Sequence, residues 1–353
     1  MDHSFNRRKF IRTTAAAGFG FGIAGTAAGM GLGAKGYANP MNWGHNILTK
    51  GRVGMIGLDT SHCVAFAELL NDAKAGPSLA SFPIVAAYPK GSRDIESSAS
   101  RIPAITEEIK KFGVEIVNSI EELLPKVDVV MLETNDGRLH LEQALPVLKA
   151  GKRLFIDKPI ASSLADAMAI FEAAKKYNTP VFSSSSLRFN PGLQDIAKGI
   201  IAGKVQGADV YSPCKLEKTH PDLFWYGIHG VETLYTVMGT GCKKVVRVHT
   251  AGTDIVVGTW ENDRIGTYRG LRGEVYDYGG TIFGDKSIVP IPPYSDYKEL
   301  LIQVIEFFRT GNVPVSQEET LEICAFMEAA DESKKRGGQE VSLDEIFKKA
   351  KAR

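Results

Sequence analysis

Two side chains of this 353-residue chain have types that suit acid–base chemistry at an oxygen atom. Lys158 follows the apolar run 153–156 and stands directly before Pro159, and His229 lies in the segment Gly-Ile-His. An ammonium group stabilises an oxygen that becomes an alkoxide, and an imidazole titrates near neutral pH. A single histidine is more often structural than catalytic, so the interpretation depends on its combination with the lysine.

The segment 57–62, Gly-Leu-Asp-Thr-Ser-His, is a candidate phosphate-binding turn. It follows the first apolar strand, where a dinucleotide fold has Gly-x-Gly-x-x-Gly, and it keeps only the first glycine. Backbone amides at the start of the next helix can still hold an anion. A helix N-cap is the structural alternative, and it requires no ligand. The candidate cofactor residues of this turn are Gly57, Asp59, Thr60, Ser61 and His62.

The end of the second predicted strand carries basic residues. Dinucleotide folds that use NAD place an acidic residue here, which binds the ribose hydroxyls. This chain has Lys90, Ser92 and Arg93 instead, which suit a 2′-phosphate. A solvated basic turn is the alternative. The cofactor is therefore predicted to be NADP or NAD, with NADP bound at least as well.

Strands and helices alternate through the first half of the chain, which predicts a Rossmann-like, doubly wound parallel sheet. The fully apolar run 127–132 is typical of a strand at the centre of such a sheet. The strands are predicted over 52–57, 83–88, 115–117, 127–132, 153–156 and 180–183. The helices are predicted over 62–75, 105–112, 120–124, 139–150 and 164–177.

The second half changes character after a helix predicted over 193–202. Strand-like stretches at 207–211, 244–249, 254–260, 264–269 and 274–279 predict a mostly antiparallel, open sheet. Helices over 297–309, 317–335 and 343–350 close the chain. We therefore predict an α/β protein with a dinucleotide-binding domain, residues 51–183, and a C-terminal α+β domain, residues 184–353. The second domain is expected to bind substrate and to form a homo-oligomer through its sheet.

Four segments share a further pattern. Residues 134–135 read Thr-Asn and are followed by His140 and Gln143. Residues 151–160 read Gly-Lys-Arg-Leu-Phe-Ile-Asp-Lys-Pro-Ile, residues 188–191 read Arg-Phe-Asn-Pro, and residues 227–239 begin Gly-Ile-His and end in glycine. Together these segments resemble the glucose–fructose oxidoreductase/inositol dehydrogenase (Gfo/Idh/MocA) family over residues 52–343.

The resemblance implies transfer of a hydride between a carbinol carbon and C4 of a nicotinamide. It implies that Lys158 hydrogen-bonds the reacting hydroxyl and that His229 takes or gives its proton. Glu232, about one helical turn beyond His229, is expected to orient the imidazole and to share in catalysis. Further cofactor contacts are expected from Thr134, Asn135, His140, Asp157 and Lys158 itself.

The expected substrate is a small carbohydrate: a sugar, a polyol or a glycoside. Arg188 and His220 are candidate contacts to its hydroxyl or carboxylate groups, and Trp225 and Tyr226 are candidate stacking faces. Trp225 also replaces the acid that the family has four residues before the histidine. A redox-assisted glycosidase or lyase with tightly bound nicotinamide remains an alternative, as does a non-catalytic sugar-binding relative.

Residues 1–38 have the pattern of a twin-arginine signal peptide: Arg7 and Arg8 precede a weakly apolar run rich in glycine and alanine. We therefore expect export to the periplasm, with no membrane attachment after cleavage; a buried or membrane-spanning helix is the alternative. Without this segment, 37 basic and 40 acidic residues remain, so nucleic acid is not an expected partner. The four cysteines lack metal-ligand spacing, and no metal site is predicted.

Overall fold

The computed structural model describes residues 47–352, except 73, 75, 276 and 295. The predicted signal peptide, residues 1–38, lies outside the described residues. Two sheets organise the described chain, and helices pack against each of them. Within the described ranges, no helix is long and apolar enough to cross a membrane.

The first sheet confirms the predicted doubly wound parallel fold. Its strands are β1 (Val53–Ile56), β2 (Ile84–Tyr88), β3 (Glu115–Ile116), β4 (Val129–Leu132), β5 (Leu154–Asp157) and β6 (Val181–Ser184). They are all parallel and lie in the order β3-β2-β1-β4-β5-β6. Every residue of β1, β4 and β5 is buried, which explains their continuous apolar runs. The strand order reverses between β1 and β4, and such a reversal leaves a crevice for ligands at the carboxyl ends.

Seven helices follow these strands along the chain. They are α1 (His62–Leu70), α2 (Pro77–Ala80), α3 (Glu96–Ala99), α4 (Ile102–Lys110), α5 (Ile120–Leu123), α6 (His140–Lys149) and α7 (Leu164–Lys176). The helix predicted over 62–75 is too long, because it ends at Leu70. Asn71, just after it, bonds through its side chain to the backbone N–H and C=O of Ile84, so the chain leaves the helical path there. Alternate residues of β4 pack into two apolar clusters, as expected for a sheet covered on both faces.

The second sheet confirms the predicted, mostly antiparallel architecture. Its strands are β7 (Val205–Pro213), β8 (Cys242–His249), β9 (Thr253–Trp260), β10 (Ile265–Leu271), β11 (Gly279–Gly284), β12 (Ile288–Pro290) and β13 (Val341–Ser342). Their order is β12-β11-β7-β10-β9-β8-β13, and only the β7–β10 pair is parallel. The strand predicted over 274–279 is wrong: β10 ends at Leu271, and the side chain of Val275 is 94% exposed and packs against nothing that would fix a strand. Strands β12 and β13 were not predicted, and β11 begins at Gly279, where the predicted strand ends.

Helix α9 carries His229 and lies close against the second sheet. The helices of this half are α8 (Pro191–Ala197), α9 (Ile228–Met238), α10 (Lys298–Thr310), α11 (Gln317–Lys335) and α12 (Leu343–Lys351). A π-helical turn, Leu223–Gly227, leads into α9. A Cβ atom on Gly230 would lie 2.3 Å from the Tyr268 ring, so only glycine lets the helix approach this closely. The sheet therefore fixes the position of His229. Helix α8, predicted over 193–202, begins earlier and ends at Ala197.

Helix α10 returns to the first domain. Its apolar residues, including Leu301 and Phe308, share one buried cluster with Val53 and Met55 of β1. Arg153, at the start of β5, donates a 3.1 Å hydrogen bond to the carbonyl of Arg309. The boundary at residues 183–184 stays a prediction; it falls at the last residue of β6, and α10 packs against the first domain although it follows most strands of the second sheet in the chain.

Candidate functional site

The carboxyl ends of β1, β4 and β5 bring four polar side chains together. His62 begins α1, Glu133 directly follows β4, Asp157 ends β5 and Lys158 comes next. His62 Nδ1 lies 2.8 Å from Asp157 Oδ2, and Lys158 Nζ lies 3.4 Å from the same oxygen. Burial holds all four largely away from water. We call these four residues and His229 the central cluster.

His229 joins the central cluster from the second domain. Its ring is buried, and Nδ1 lies 2.8 Å from the Ser185 hydroxyl. Burial lowers the pKa of His229 well below its usual value, and the charges of Lys158 and His62 lower it further. The ring is therefore neutral at pH 7. The fold thus brings together Lys158 and His229, the pair on which the sequence interpretation depends.

The hydrogen-bond partners of Glu232 are Ser184, Ser185 and Arg188, so any effect of Glu232 on the imidazole of His229 passes through them, and its catalytic role stays a prediction. Its Oε1 accepts hydrogen bonds from the Ser184 hydroxyl at 2.5 Å and from Arg188 Nε at 2.7 Å. Its Oε2 accepts one from the Ser185 amide at 2.8 Å. Both carboxylate oxygens are thus used by other donors. Glu232 supports the site indirectly, because it fixes the backbone of Ser185, whose hydroxyl holds the imidazole.

Arg188 supports the site through two ion pairs, and its expected role as a substrate contact stays a prediction. The buried guanidinium pairs with Glu232, and its Nη2 lies 2.7 Å from Glu319 Oε1 on α11. The two carboxylates keep the guanidinium charged despite its burial, since they raise its pKa. Arg188 therefore ties the entry to the second domain to α9 and α11.

His220 and Trp225 pack on each other beside the loop after β4. Their ring centroids lie 5.0 Å apart, and His220 Nε2 lies 3.3 Å from Asp136 Oδ1. The Asp136 carboxylate also pairs with Arg138 at 2.7 Å. His220 is therefore engaged with protein groups on both sides. Trp225 is half-buried, and its role as a stacking face stays a prediction.

Tyrosine rings form a wall next to His229. The Tyr226 ring centroid lies 5.2 Å from that of His229, and the Tyr278 centroid lies 5.9 Å from it, both edge-on. Burial raises the pKa of Tyr278, so its hydroxyl stays protonated. Tyr226 is half-buried, and among the predicted substrate residues it has a ring contact with His229.

Asp59 fills the turn after β1. Its side chain is fully buried. The Oδ2 atom accepts hydrogen bonds from the amide of Ser92 at 2.6 Å and from its hydroxyl at 2.5 Å. The Oδ1 atom accepts one from the amide of Asn135 at 2.8 Å. It thus ties together the loops that follow β1, β2 and β4. Its candidate role as a cofactor contact is corrected to that of an internal link, since these donors use both oxygens.

The rest of this turn has mixed roles. Gly57 has a φ of 83°, and a Cβ there would lie 2.2 Å from Thr134 Oγ1, so this position requires glycine. Ser61 is exposed at the helix start and makes no side-chain capping bond, and the Thr60 hydroxyl lies 3.5 Å from the amide of His62. Asp59 and the Thr60 hydroxyl thus accept backbone amides, as the structural alternative expects, although Ser61 at the N-cap position makes no capping bond.

The basic residues after β2 border a cavity of about 370 Å³. Lys90 is exposed at its rim, and the exposed Arg93 pairs with Glu142 at 3.0 Å. Ser92 is buried and donates its hydroxyl to Asp59. Of the three predicted phosphate ligands, Lys90 and Arg93 are therefore the two whose side chains are available. The cavity lies where the ribose-binding acid of an NAD fold would stand.

Buried hydrogen bonds hold the loop after β4 in place. The hydroxyl of Thr134 donates to Gln143 at 2.7 Å. The two ring nitrogens of His140 lie 2.6 Å from the carbonyl of Thr134 and 3.1 Å from that of Ile160. Asn135 donates its side-chain amide to Ser98 at 2.9 Å. Thr134 and His140 therefore shape the loop, and they do not face the central cluster with free groups.

The sequence analysis missed two residues of the site. Glu133 is fully buried, and neither carboxylate oxygen has a hydrogen-bond partner among the described residues. Burial raises its pKa well above the usual range, and the charge of Asp157 raises it further. An acid directly after the apolar run of β4 was the available signal for Glu133. Nothing in the sequence pointed to Ser185, because a serine in a run of four serines has no distinguishing pattern.

A dinucleotide fits this edge of the sheet at its two ends. The cavity beside Lys90 and Arg93 offers room for an adenosine, and Lys158 stands at the end of β5, next to the crevice. The turn between them departs from the usual pattern, since Asp59 and His62 replace the second and third glycines. A pyrophosphate must therefore be held here without the close backbone approach that the second glycine permits.

Comparisons with known proteins agree with this architecture. Residues 52–185 match the profile of the Gfo/Idh/MocA oxidoreductase family, described as an NAD-binding Rossmann fold. The chain is 36% identical over 86 residues to a 4-carboxy-2-hydroxymuconate-6-semialdehyde dehydrogenase of a Sphingobium species, which is 24% of this chain and 27% of that protein. It is 24% identical over 204 residues to the myo-inositol 2-dehydrogenase of Thermotoga maritima, which is 50% of this chain and 61% of that protein.

The chain thus spans less than two thirds of the length of these curated relatives. Among solved structures, a probable dehydrogenase from Thermotoga maritima superposes with a TM-score of 0.70 at 20% identity. The superposition covers 84% of this chain and 99% of that one, so the shared fold includes both domains. The first domain, residues 52–185, therefore matches the NAD-binding Rossmann domain of the Gfo/Idh/MocA oxidoreductase family.

Proposed function

We propose that this protein is an exported, nicotinamide-dependent oxidoreductase that acts on a secondary hydroxyl of a sugar or polyol. The observation that carries the proposal is the meeting of Lys158 and His229, from different domains, in one buried cluster at the ligand-binding edge of the sheet. A polyol substrate agrees with the similarity to an inositol dehydrogenase.

In this mechanism each side chain has one task. Lys158 donates a hydrogen bond to the substrate hydroxyl and stabilises the negative charge that develops on its oxygen. His229 is neutral, donates its Nδ1 proton to Ser185 Oγ, and accepts the hydroxyl proton at Nε2. A bound nicotinamide supplies the acceptor for the hydride. Tyr226 and Tyr278 shield the proton transfer from bulk water.

The cofactor is NADP or NAD, and Lys90 and Arg93 favour NADP. Free nucleotide is not readily recycled outside the cytosol, so an exported enzyme of this kind benefits from tightly held cofactor. The test is to isolate the protein from the periplasmic fraction, denature it, and identify any released nucleotide by absorbance and mass spectrometry. We expect processed protein that releases NADP(H) or NAD(H). Protein that stays in the cytosol contradicts export, and protein that neither carries nor binds nucleotide favours the non-catalytic alternative.

The catalytic assignment is tested by single-turnover hydride transfer with a panel of sugars and polyols. Lys158→Ala and His229→Ala are each expected to lower the rate by about 10²–10⁴-fold. Because the two act as a unit, the double variant is expected to be little slower than the slower single variant. The matched controls are Lys149→Ala and His249→Ala, at exposed positions away from the cluster. Wild-type rates in both Lys158→Ala and His229→Ala would contradict the assignment.

A further inference from the structure

His62, Glu133 and Asp157 form a group of metal-type ligands that the proposed hydride transfer does not use. Each offers one ligand atom, and the three atoms lie within 4.8 Å of one another. They come from three places in the chain: the start of α1, the end of β4 and the end of β5. The order of the strands in the sheet brings them together, and no local sequence motif links them.

Glu133 gives the independent sign that a ligand belongs here. The residue is fully buried, and both carboxylate oxygens lack a hydrogen-bond partner in the described part of the chain. Asp157 Oδ1 also lacks one. A buried carboxylate without a partner is costly, because it has lost its water and gained nothing in exchange. Its oxygens therefore require either a proton or a cation.

The charge around the group favours a cation. With His62 neutral, as a metal ligand must be, the buried carboxylates of Glu133 and Asp157 share the one ammonium group of Lys158, and Asp59 adds a third negative charge near Glu133. Asp59 is already bound by neutral donors, and Lys158 lies 3.4 Å from Asp157. The nearest cation, Lys158, thus pairs with Asp157, and Glu133 has no ion-pair partner among the described residues. One divalent ion between His62, Glu133 and Asp157 would balance the cluster.

The three ligand atoms must move closer together to hold one ion. Imidazole and carboxylate ligands lie about 2.0–2.2 Å from Zn²⁺, so two ligands of a tetrahedral ion are about 3.4 Å apart, whereas these atoms lie within 4.8 Å of one another. The imidazole is held in place by aromatic contacts, with ring centroids 4.8 Å from Tyr297 and 5.6 Å from Phe66. The side chain of His62 is 12% exposed, which gives an ion a way in.

We propose that His62, Glu133 and Asp157 bind one divalent transition-metal cation of the Zn²⁺ or Mn²⁺ class beside Lys158. One imidazole with two carboxylates suits such ions, whereas Mg²⁺ and Ca²⁺ prefer oxygen ligands alone. Three protein ligands leave coordination positions for water or a substrate oxygen. The ion would lie next to the group that binds the reacting hydroxyl, and its binding does not depend on the nicotinamide.

The test uses the mature protein after removal of metal with a chelator and without added nucleotide. Calorimetric titration with ZnCl₂, MnCl₂ and MgCl₂ measures affinity, and thermal unfolding measures the gain in stability on binding. We expect one Zn²⁺ or Mn²⁺ per chain, with an affinity at least about tenfold higher than for Mg²⁺. A rise in the unfolding midpoint should accompany binding.

Glu133→Gln is the main variant. It removes the unpaired charge and keeps the shape, so its midpoint without metal should equal or exceed that of the wild type, while its affinity for Zn²⁺ should fall at least about tenfold. If Glu133→Gln does not fold, the affinity for Zn²⁺ is measured in His62→Gln instead, and the same loss is expected. The matched control is Glu107→Gln, an exposed glutamate on α4.

Equal Zn²⁺ affinity of wild type and variant, or no binding by the wild type, would overturn the proposal and leave a protonated Glu133 as the explanation. Nucleotide binding is measured separately and in the presence of chelator. Absence of metal binding would therefore not contradict the proposed oxidoreductase function. Absence of nucleotide binding would likewise not contradict the metal site.

Discussion

At the scale of single residues, the environment of His229 sets the protonation state that the proposed mechanism requires. Burial disfavours the imidazolium form, and the nearby positive charges disfavour it further. A base must be unprotonated before it can accept a proton, so the depressed pKa widens the pH range in which His229 is competent. Ser185 fixes the ring, and Glu232 and Arg188 in turn fix Ser185.

The depressed pKa predicts the pH dependence of hydroxyl oxidation. The neutral form of His229 is complete above the lowered pKa, so the rate should stay flat through pH 6.5 and fall only at lower pH. An unperturbed histidine would lose about half of the rate near pH 6.5. The measurement is the pH profile of single-turnover oxidation in the wild type.

A titration of the imidazole by NMR separates this effect from other ionisations. The resonance of His229 is assigned with His229→Gln, and Lys158→Met removes the neighbouring positive charge. The pKa of His229 should then move upward, towards its usual value. A pKa of 6.5 or above in the wild type would contradict the interpretation, as would a downward shift in Lys158→Met.

At the scale of secondary-structure elements, the turn between β1 and α1 is the most unusual part of the first domain. In a glycine-rich turn the backbone is left free to approach phosphate. Here the side chain of Asp59 occupies the space and connects Ser92 and Asn135, which lie in the loops after the neighbouring strands β2 and β4. The turn thus has internal hydrogen bonds where a glycine-rich turn leaves the backbone free.

Asp59→Ala is therefore expected to destabilise the first domain. Two amides, the buried one of Ser92 and the half-buried one of Asn135, lose their acceptor, and an unsatisfied buried group costs about 1–3 kcal/mol. We expect a loss of about 2–5 kcal/mol in the free energy of unfolding, measured by urea denaturation. Asp72→Ala is the matched control, because the exposed Asp72 also accepts a backbone amide, at 2.8 Å. A loss in Asp59→Ala no larger than in Asp72→Ala would contradict the role of Asp59 as a link.

At the scale of the whole molecule, the second sheet has one covered and one open face. Helices α9 and α11 pack on the first. The open face presents apolar side chains that are exposed over a third or more of their surface: Tyr211, Val248, Ile265 and Phe283. Apolar patches of this kind mark interaction surfaces. We propose that this face forms the interface of a homo-oligomer, with a second copy of the chain as the partner.

Ile265→Glu is expected to dissociate the oligomer. Ile265 is 53% exposed at the start of β10, the central strand of the sheet, and a glutamate there would be buried against the partner without a counter-charge. We expect the dissociation constant to rise at least about tenfold, or 1.4 kcal/mol. Light scattering after size-exclusion chromatography measures the mass. Ile200→Glu is the control, since Ile200 is 67% exposed but lies outside the strands. A monomeric wild type would contradict the proposal.

Local patterns in the sequence were enough to predict the first sheet, the mostly antiparallel second sheet and the pair of Lys158 and His229. Buried parallel strands are continuous apolar runs, and the two catalytic candidates stand in recognisable segments. The predicted strand at 274–279 is wrong because the alternation of apolar and polar residues does not show whether a packing partner exists. Val275 has none.

Only the tertiary structure decided what the polar residues contact. A sequence gives residue types, but a carboxylate takes its role from the donors that the fold places within about 3 Å of it. Glu232 was expected to orient His229, and its hydrogen-bond partners are Ser184, Ser185 and Arg188. Glu133, which no motif singled out, lies buried beside His62 and Asp157 because β1, β4 and β5 are neighbours in the sheet. Strand order is a long-range property, and it determines the central cluster.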